Sequence, residues 1–186
     1  MSKILVDTID TRNGTSNITI GSSNASQITL KSGATLTNFP ANTSAFFTYL
    51  TNNQDIPDDT WTKVSGFTEL LDTDSCFASN KFTPTTAGKY IIYVSADVGS
   101  VGTATNLREA YSAIYKNGSF YAFSDNNYNG SFIYNTTIFT QTVVDFNGTT
   151  DYVEFYAYGN LTTGNPRIYG GGNKQTFFGG YKLIGA

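Results

Sequence analysis

Apolar and polar residues alternate with a period of two through much of the chain after residue 45, a pattern that predicts β-strands. In Tyr90–Val98 every second residue, starting with Tyr90, is apolar, so these five side chains are expected to share one face. Phe67–Leu71 is short enough to form either a strand or a single helical turn. The other main predicted strands are Ala45–Leu50, Tyr111–Tyr115, Thr136–Phe146, Asp151–Tyr158 and Lys174–Ile184.

Turn residues separate these segments. Lys116-Asn117-Gly118 predicts a tight hairpin, because Asn and Gly both tolerate positive φ, and Ser119–Phe123 is the expected returning strand. Regularly spaced strands without a convincing helix indicate an all-β antiparallel sandwich or barrel, which we assign to residues 41–186.

Residues 1–40 have a different pattern. Their alternating pieces, such as Ile18–Gly21 and Ile28–Leu30, carry one or two aliphatic residues per side, too few to bury a core alone. Wound around two other copies of the chain, these aliphatics would line a shared axis, which predicts a short β-rich intertwined segment. A disordered, low-complexity leader is the alternative.

Composition narrows the function classes. Charged residues make up 13% of the 186 residues, the formal net charge is −3, and no cluster of Lys and Arg is present, so nucleic-acid binding is not expected. The chain has no histidine and one cysteine, Cys76, which removes the commonest general base and the usual zinc ligands. We therefore predict a protein that is not an enzyme and has no cofactor, with Cys76 as a small buried residue.

The sequence also lacks signals for export, for membrane insertion and for metal binding. No secretory signal or membrane-spanning apolar run is visible, so synthesis in a cytoplasm without membrane insertion is expected. The acid pairs Asp58/Asp59 and Asp72/Asp74 offer oxygen ligands of the kind that calcium accepts, but they lack the spacing of a calcium loop. We interpret them as solvated surface acids and predict no metal site.

The order of the signals in residues 45–186 resembles that of the C1q/TNF-like jelly-roll family. The matching residues, in chain order, are Ala45-Phe46, then Phe82, Pro84, Gly88 and Tyr90, then Lys116-Asn117-Gly118, Asp151-Tyr152-Val153, and finally Phe177, Gly179 and Leu183. The chain departs from the family at Thr150, where members have glycine, and no collagen-like stalk precedes the head. The resemblance implies an antiparallel jelly roll that forms homotrimers and serves in binding or structure more often than in catalysis.

The opening of the chain resembles the N-terminal segments of marine, cyanophage-type bacteriophage fibre and decoration proteins. The resemblance rests on Ser2–Ile9, Ile18–Ser22, Ile28–Leu30 and Gly33–Leu36. It implies a trimeric virion surface protein, made in the host cytoplasm, whose head projects outward as a capsid decoration or head fibre. Attachment to a capsid or tail protein is assigned to Ile4, Leu5, Val6 and Ile9. The alternatives are a short tail fibre that binds the receptor and a free C1q-like soluble lectin.

Several predicted strands are apolar on both faces, which predicts a subunit interface. In Asp151–Tyr158, for example, Val153, Phe155 and Ala157 are expected to fill the sandwich and leave three tyrosines outside. A monomer rarely leaves such a continuous apolar area in water. The residues assigned to a trimer interface are Ile91, Tyr93, Tyr152, Tyr156, Tyr158 and Phe178. The alternatives are that the tyrosines are ordinary amphipathic surface residues, or that a wide sandwich absorbs them.

One predicted loop has a composition suited to recognition. Tyr121–Phe132 mixes aromatic rings with Asn, Ser and Gly, which supply contact area and adaptable hydrogen bonds. We predict that it binds a host-surface glycan or a protein partner through Tyr121, Asp125, Asn126, Asn127 and Tyr128. An ordinary hairpin tip beside the trimer axis is the alternative.

Overall fold

A computed structural model describes residues 44–184, and the predictions for residues 1–40 lie outside this range. The described residues form strands joined by turns. In chain order the strands are β1 (Ala45–Leu50), β2 (Gln54–Asp55), β3 (Thr62–Lys63), β4 (Phe67–Asp72), β5 (Phe77–Ala78), β6 (Lys81–Phe82), β7 (Gly88–Ser100), β8 (Leu107–Lys116), β9 (Ser119–Asn127), β10 (Asn135–Phe146), β11 (Val153–Leu161), β12 (Pro166–Ile168) and β13 (Phe177–Lys182). No helix in this range is long and apolar enough to cross a membrane.

The strands form two antiparallel sheets. In the first sheet the order is β4-β1-β13-β7-β10, and β12 continues along β7 beyond β13 and carries β2 on its other edge. In the second sheet the order is β5-β6-β11-β8-β9, with β3 also paired to β11. Both sheets mix strands that are distant in sequence, and this confirms the predicted all-β antiparallel jelly-roll sandwich.

Alternation decides which side chains enter the space between the sheets. On β7 the five residues predicted to share a face, Tyr90 to Val98 in steps of two, are all 0% exposed. On β11, Val153, Phe155 and Ala157 are equally buried, as predicted. Aromatic rings dominate this core: Phe46 stacks on Phe82 with ring centroids 4.2 Å apart. Cys76 is buried at the edge of the same core, as its sequence context indicates.

The last strand shows why the prediction for Phe178 was wrong. Phe178 is 0% exposed and meets Phe46 edge-to-face at 4.8 Å, so it belongs to the core and not to a subunit interface. Its neighbour Phe177 takes the outward position. The following glycines permit close packing, because a Cβ on Gly180 would lie 2.6 Å from Ile92 Cδ1 and one on Gly179 would lie 2.6 Å from the Tyr93 ring. Strand β13 can therefore pack closely between β1 and β7, because Gly179 and Gly180 have no side chains.

The hairpin between β8 and β9 confirms the turn prediction. Asn117 and Gly118 have φ values of 52° and 77°, the left-handed conformation that these two residue types tolerate. Strand β9 continues to Asn127, four residues beyond the predicted end at Phe123. Phe67–Asp72 is a strand, β4, which resolves the ambiguity between strand and helical turn.

We expect Phe178→Ala to reduce the free energy of unfolding by about 3–5 kcal/mol, because it removes a fully buried ring from the core. The measurement is urea denaturation at fixed protein concentration. Phe132→Ala is the matched control: Phe132 is 40% exposed, and its truncation should cost less than about 1 kcal/mol. Equal losses in the two variants would contradict the placement of Phe178.

Candidate functional site

The outer face of the first sheet carries an apolar patch, which we call the first-sheet face. It surrounds a shallow depression of about 350 Å³. The residues that line it come from β1, β7, β10 and β13 and include no charged side chain: Phe47, Ile91, Tyr93, Phe139, Gln141, Phe177 and Tyr181. Phe139 is 50% exposed and Tyr181 39% exposed, so the patch lies open to solvent in the single chain.

Phe177 is the centre of the first-sheet face. Its ring centroid lies 5.6 Å from that of Phe47, 6.2 Å from Tyr93 and 6.3 Å from Phe139. Strands β1, β13, β7 and β10 each contribute one ring to this group. Since the four strands are hydrogen-bonded neighbours, the sheet itself fixes the spacing of the rings.

One carboxyl group lies farther along the same side of β7. Asp97 is 7% exposed, and its Oδ1 accepts a hydrogen bond from Asn135 Nδ2 at 3.0 Å. No ion pair involves Asp97 among the contacts of residues 44–184. Burial raises the pKa of this carboxyl above its usual value, and the hydrogen bond from Asn135 only partly opposes the effect.

The outer face of the second sheet carries a larger aromatic group, which we call the second-sheet face. Ala113 on β8 lies beneath it: this residue pairs with Phe123 and Tyr156 in the neighbouring strands and is 0% exposed, although it points away from the core. A ring layer therefore covers this side of the sheet. Its members are Trp61, Tyr111, Tyr115, Phe120, Phe123, Tyr156 and Tyr158.

Trp61 holds the second-sheet face together. Its ring lies between 5.3 and 6.4 Å from the rings of Phe120, Tyr158, Tyr111 and Tyr115. The residue directly precedes β3, which pairs with β11, and the Asp59 amide before it donates to the carbonyl of Gly159 on β11 at 3.0 Å. The β3–β11 pairing and the hydrogen bond between Asp59 and Gly159 thus hold Trp61 against the outer side of the second sheet.

Carboxylates lie among these rings. Asp59 accepts a hydrogen bond from the Tyr158 hydroxyl, and Glu109 Oε2 lies 3.5 Å from the Tyr111 hydroxyl. Asp125 pairs with Tyr111 across β8 and β9 and faces outward with it. Burial raises the pKa of both tyrosines, with a further contribution from the adjacent carboxylate, so these phenols stay protonated donors. Glu154 differs from these carboxylates because it forms an ion pair: Lys63 Nζ lies 2.7 Å from its Oε1.

The predicted interface residues do not form one surface. Ile91 and Tyr93 lie on the first-sheet face, whereas Tyr156 and Tyr158 lie on the second-sheet face, on the opposite side of the sandwich. Tyr152 lies just before β11 and packs beneath the Lys81 ammonium, 4.7 Å from its ring centroid. The sequence interpretation missed Phe139, Phe177 and Trp61. Alternation along β10 was the available signal for Phe139, and the Phe177-Phe178 pair was a signal for the last strand.

The residues predicted to bind a glycan do not lie on one surface either. Asp125 and Asn127 face outward from β9, which is a strand at this point and not a loop. Asn126 donates to Thr136 Oγ1 at 2.9 Å, and the Tyr121 hydroxyl donates to the Val143 carbonyl at 3.1 Å, so both face β10. Tyr128 is partly buried against the core. Of the five, Asp125 and Asn127 share the side of the second-sheet face.

The acid pairs have local structural roles. The Asp72 carboxylate accepts from the amides of Cys76 and Phe77, both at 2.9 Å, and Asp74 accepts from the Ser44 hydroxyl at 2.5 Å. Asp58 accepts from the Leu161 amide at 2.7 Å. Within residues 44–184, no group of three or more His, Cys, Asp and Glu side chains is arranged to hold a metal ion.

Comparison with known proteins supports the fold. No protein-family model matches the chain, and no curated protein matches it. Among solved structures, murine APRIL at pH 5.0 is similar with a TM-score of 0.55 and 12% identity, over 75% of this chain and 98% of that one. Eiger TNF from S. frugiperda has a TM-score of 0.55 and 11% identity, over 76% and 93%. The globular domain of zebrafish complement 1qA has a TM-score of 0.52 and 11% identity, over 76% and 98%. The chain thus has the C1q/TNF-like jelly-roll fold.

We expect Asp97→Asn to raise the melting temperature at about pH 7 and to leave it nearly unchanged at about pH 3.5, near the pKa of an unfolded aspartate. The raised pKa means that the folded state binds the proton more tightly than the unfolded chain. The penalty of the charged form therefore grows as pH rises from the unfolded pKa to the folded pKa, and it is complete above the latter. An asparagine keeps the acceptor for Asn135 but carries no charge.

The measurement is the difference in melting temperature between variant and wild type at the two pH values. Asp145→Asn is the control, because this exposed carboxylate lies 3.3 Å from the exposed Lys89 ammonium and should make little difference at either pH. An Asp97→Asn variant that is less stable than wild type at pH 7 would contradict the expected sign.

Proposed function

We propose that this chain is a homotrimeric, non-enzymatic structural protein of the bacteriophage virion surface. Residues 1–40 attach it to a capsid or tail protein through Ile4, Leu5, Val6 and Ile9, and the jelly-roll head projects outward for adsorption to a host-surface glycan. The observation that carries the proposal is the first-sheet face, an uncharged aromatic patch on a fold whose family resemblance implies trimers.

Burial of the first-sheet face is the driving force for association. Removing apolar surface from water contributes about 25 cal/mol per Å², and half-exposed rings such as Phe139 offer much of their area. Gln141 can form hydrogen bonds across an interface, and the absence of charge among the lining residues avoids a desolvation cost. An interface on the first-sheet face would use Ile91 and Tyr93 and leave Tyr156 and Tyr158 free for another role.

A structural and binding role also agrees with the chemistry of the chain. Catalysis by the commonest general base is excluded, because the sequence contains no histidine. The virion setting is supported by the resemblance of residues 2–36 to phage fibre and decoration proteins.

We expect the wild-type protein to sediment as three copies of the 20.2 kDa chain at micromolar concentration, and Phe139→Asp to sediment as a monomer. The substitution places a charge within the proposed interface, where it would lose its hydration on assembly. Phe123→Asp is the matched control, since Phe123 is 51% exposed but lies on the second-sheet face. A folded wild-type monomer, or loss of the trimer in the control alone, would overturn the proposed interface.

We expect the protein to be present in purified virions, and a variant that lacks residues 1–40 to be absent from them while its head still folds. Mass spectrometry of purified particles measures incorporation, and circular dichroism of the purified variant measures folding. Incorporation of the truncated variant at the wild-type level would refute attachment through residues 1–40. Absence of the full chain from particles, with secretion as a free protein, would favour the soluble lectin.

A further inference from the structure

We propose that the second-sheet face is a binding surface for neutral saccharides. Pyranose rings would stack on its exposed aromatic side chains, and their hydroxyl groups would donate hydrogen bonds to the carboxylates between them. This deepens the adsorption role in the proposed function and rests on it for the biological setting, but the binding itself requires only the folded head.

The exposed part of the aromatic layer has a suitable form. Phe120 and Phe123 are 47% and 51% exposed, and their ring centroids lie 5.3 Å apart on the outward side of β9. Trp61 supports Phe120 from below, edge-to-face at 5.3 Å. A sugar presents polarised C–H groups on one face of its ring, and these are attracted to the negative face of an aromatic ring. Rings held by a sheet and by each other lose little conformational freedom on binding.

The polar groups around these rings are acceptors suited to hydroxyl donors. Asp59 and Glu109 already lie against phenol hydroxyls, those of Tyr158 and Tyr111. Asp125 faces outward beside Tyr111, and no hydrogen bond or ion pair involves its side chain among the contacts of residues 44–184. A hydrogen bond from a neutral donor to a carboxylate is stronger than one between two neutral groups. A sugar hydroxyl could bind Asp125 in this way without displacing an existing partner.

The same carboxylates disfavour a protein as the occupant. Charged residues are depleted in the buried cores of protein interfaces, because they must be desolvated there. On the second-sheet face Glu109 and Asp125 lie among the rings, whereas the lining of the first-sheet face contains no charged side chain. A second copy docked through the same surface would also place like charges opposite each other. The first-sheet face fits self-association, and the second fits a ligand rich in hydroxyl groups.

The charge further restricts the class of saccharide. Two lysines at this face are already engaged, since Lys63 pairs with Glu154 and Lys81 lies over Tyr152. Arg108 lines a depression with Glu109 at the start of β8, and neither Asp59 nor the exposed pair of Phe120 and Phe123 borders it. Sulfated or uronic-acid sugars would therefore meet the carboxylates of Asp59 and Asp125, neither of which forms an ion pair among the contacts of residues 44–184. Neutral hexoses and N-acetylhexosamines avoid this repulsion.

Binding at this surface can be followed by intrinsic fluorescence, because Trp61 is the only tryptophan in the sequence. The experiment titrates the full-length protein with neutral oligosaccharides of glucose, galactose, mannose and N-acetylglucosamine, and follows indole fluorescence excited at wavelengths selective for tryptophan. We expect a saturable change with at least one of the four. Oligogalacturonate and tetramethylammonium are the anionic and cationic probes, and neither should bind as tightly as the best neutral sugar.

Variants assign the binding to the surface. Phe123→Ala and Asp125→Ala should each weaken binding of the best sugar at least tenfold. Phe139→Ala should change it less than twofold, since Phe139 has a matched exposure of 50% on the other face. Circular dichroism checks that each of the three variants is folded. Phe123 and Asp125 are exposed enough to tolerate truncation.

Three results would overturn the proposal: no response to any of the four neutral sugars, tighter binding of tetramethylammonium, or binding that survives Phe123→Ala and Asp125→Ala unchanged. Failure of the trimer proposal is recognised separately, by sedimentation. A monomeric Phe139→Asp protein that still binds sugar would support the saccharide surface whatever the state of assembly.

Discussion

The packing of Phe46, Phe82, Phe155 and Phe178 between the two sheets is the interaction on which the rest of the structure depends. These rings are 0–1% exposed, and the strands that carry them come from both sheets. Side chains alternate between the two faces of a strand. When one residue of a strand points into the core, its sequence neighbours therefore point outward. The two aromatic outer faces are therefore a consequence of the way the core is built.

The two outer faces differ in their polar residues, and this difference gives them different physical properties. The depression on the first-sheet face is lined by aromatic and aliphatic groups with one amide, Gln141. The second-sheet face combines a larger group of rings with carboxylates such as Glu109 and Asp125. Apolar contact alone can cover the first, whereas a ligand on the second must also satisfy charged acceptors. A single fold can in this way carry one surface for assembly and another for recognition.

Local patterns were sufficient to predict the parts of the fold that depend on neighbours in sequence. Alternation assigned the faces of β7 and β11, and Asn117-Gly118 located the hairpin. On β13 the pattern placed Phe177 and Phe178 on opposite sides but did not indicate which side is inner, because Gly179 and Gly180 offer no side chain to decide it. The separation of Tyr93 from Tyr156 depends on which sheet each strand joins, a non-local property. The role of Trp61 depends on a two-residue strand, β3, whose pairing with β11 has no local signal.

The position of β13 determines when the head can fold. This strand is the last in chain order among residues 44–184, and yet it lies in the interior of the first sheet between β1 and β7. Until Phe177–Lys182 has been synthesised, β1 and β7 cannot be joined through it, so the first sheet closes only after its other strands have been made. Until then the nascent head exposes the groove that β13 will occupy. An incomplete copy would therefore be unable to close its first sheet, the same sheet that carries the proposed trimer contact.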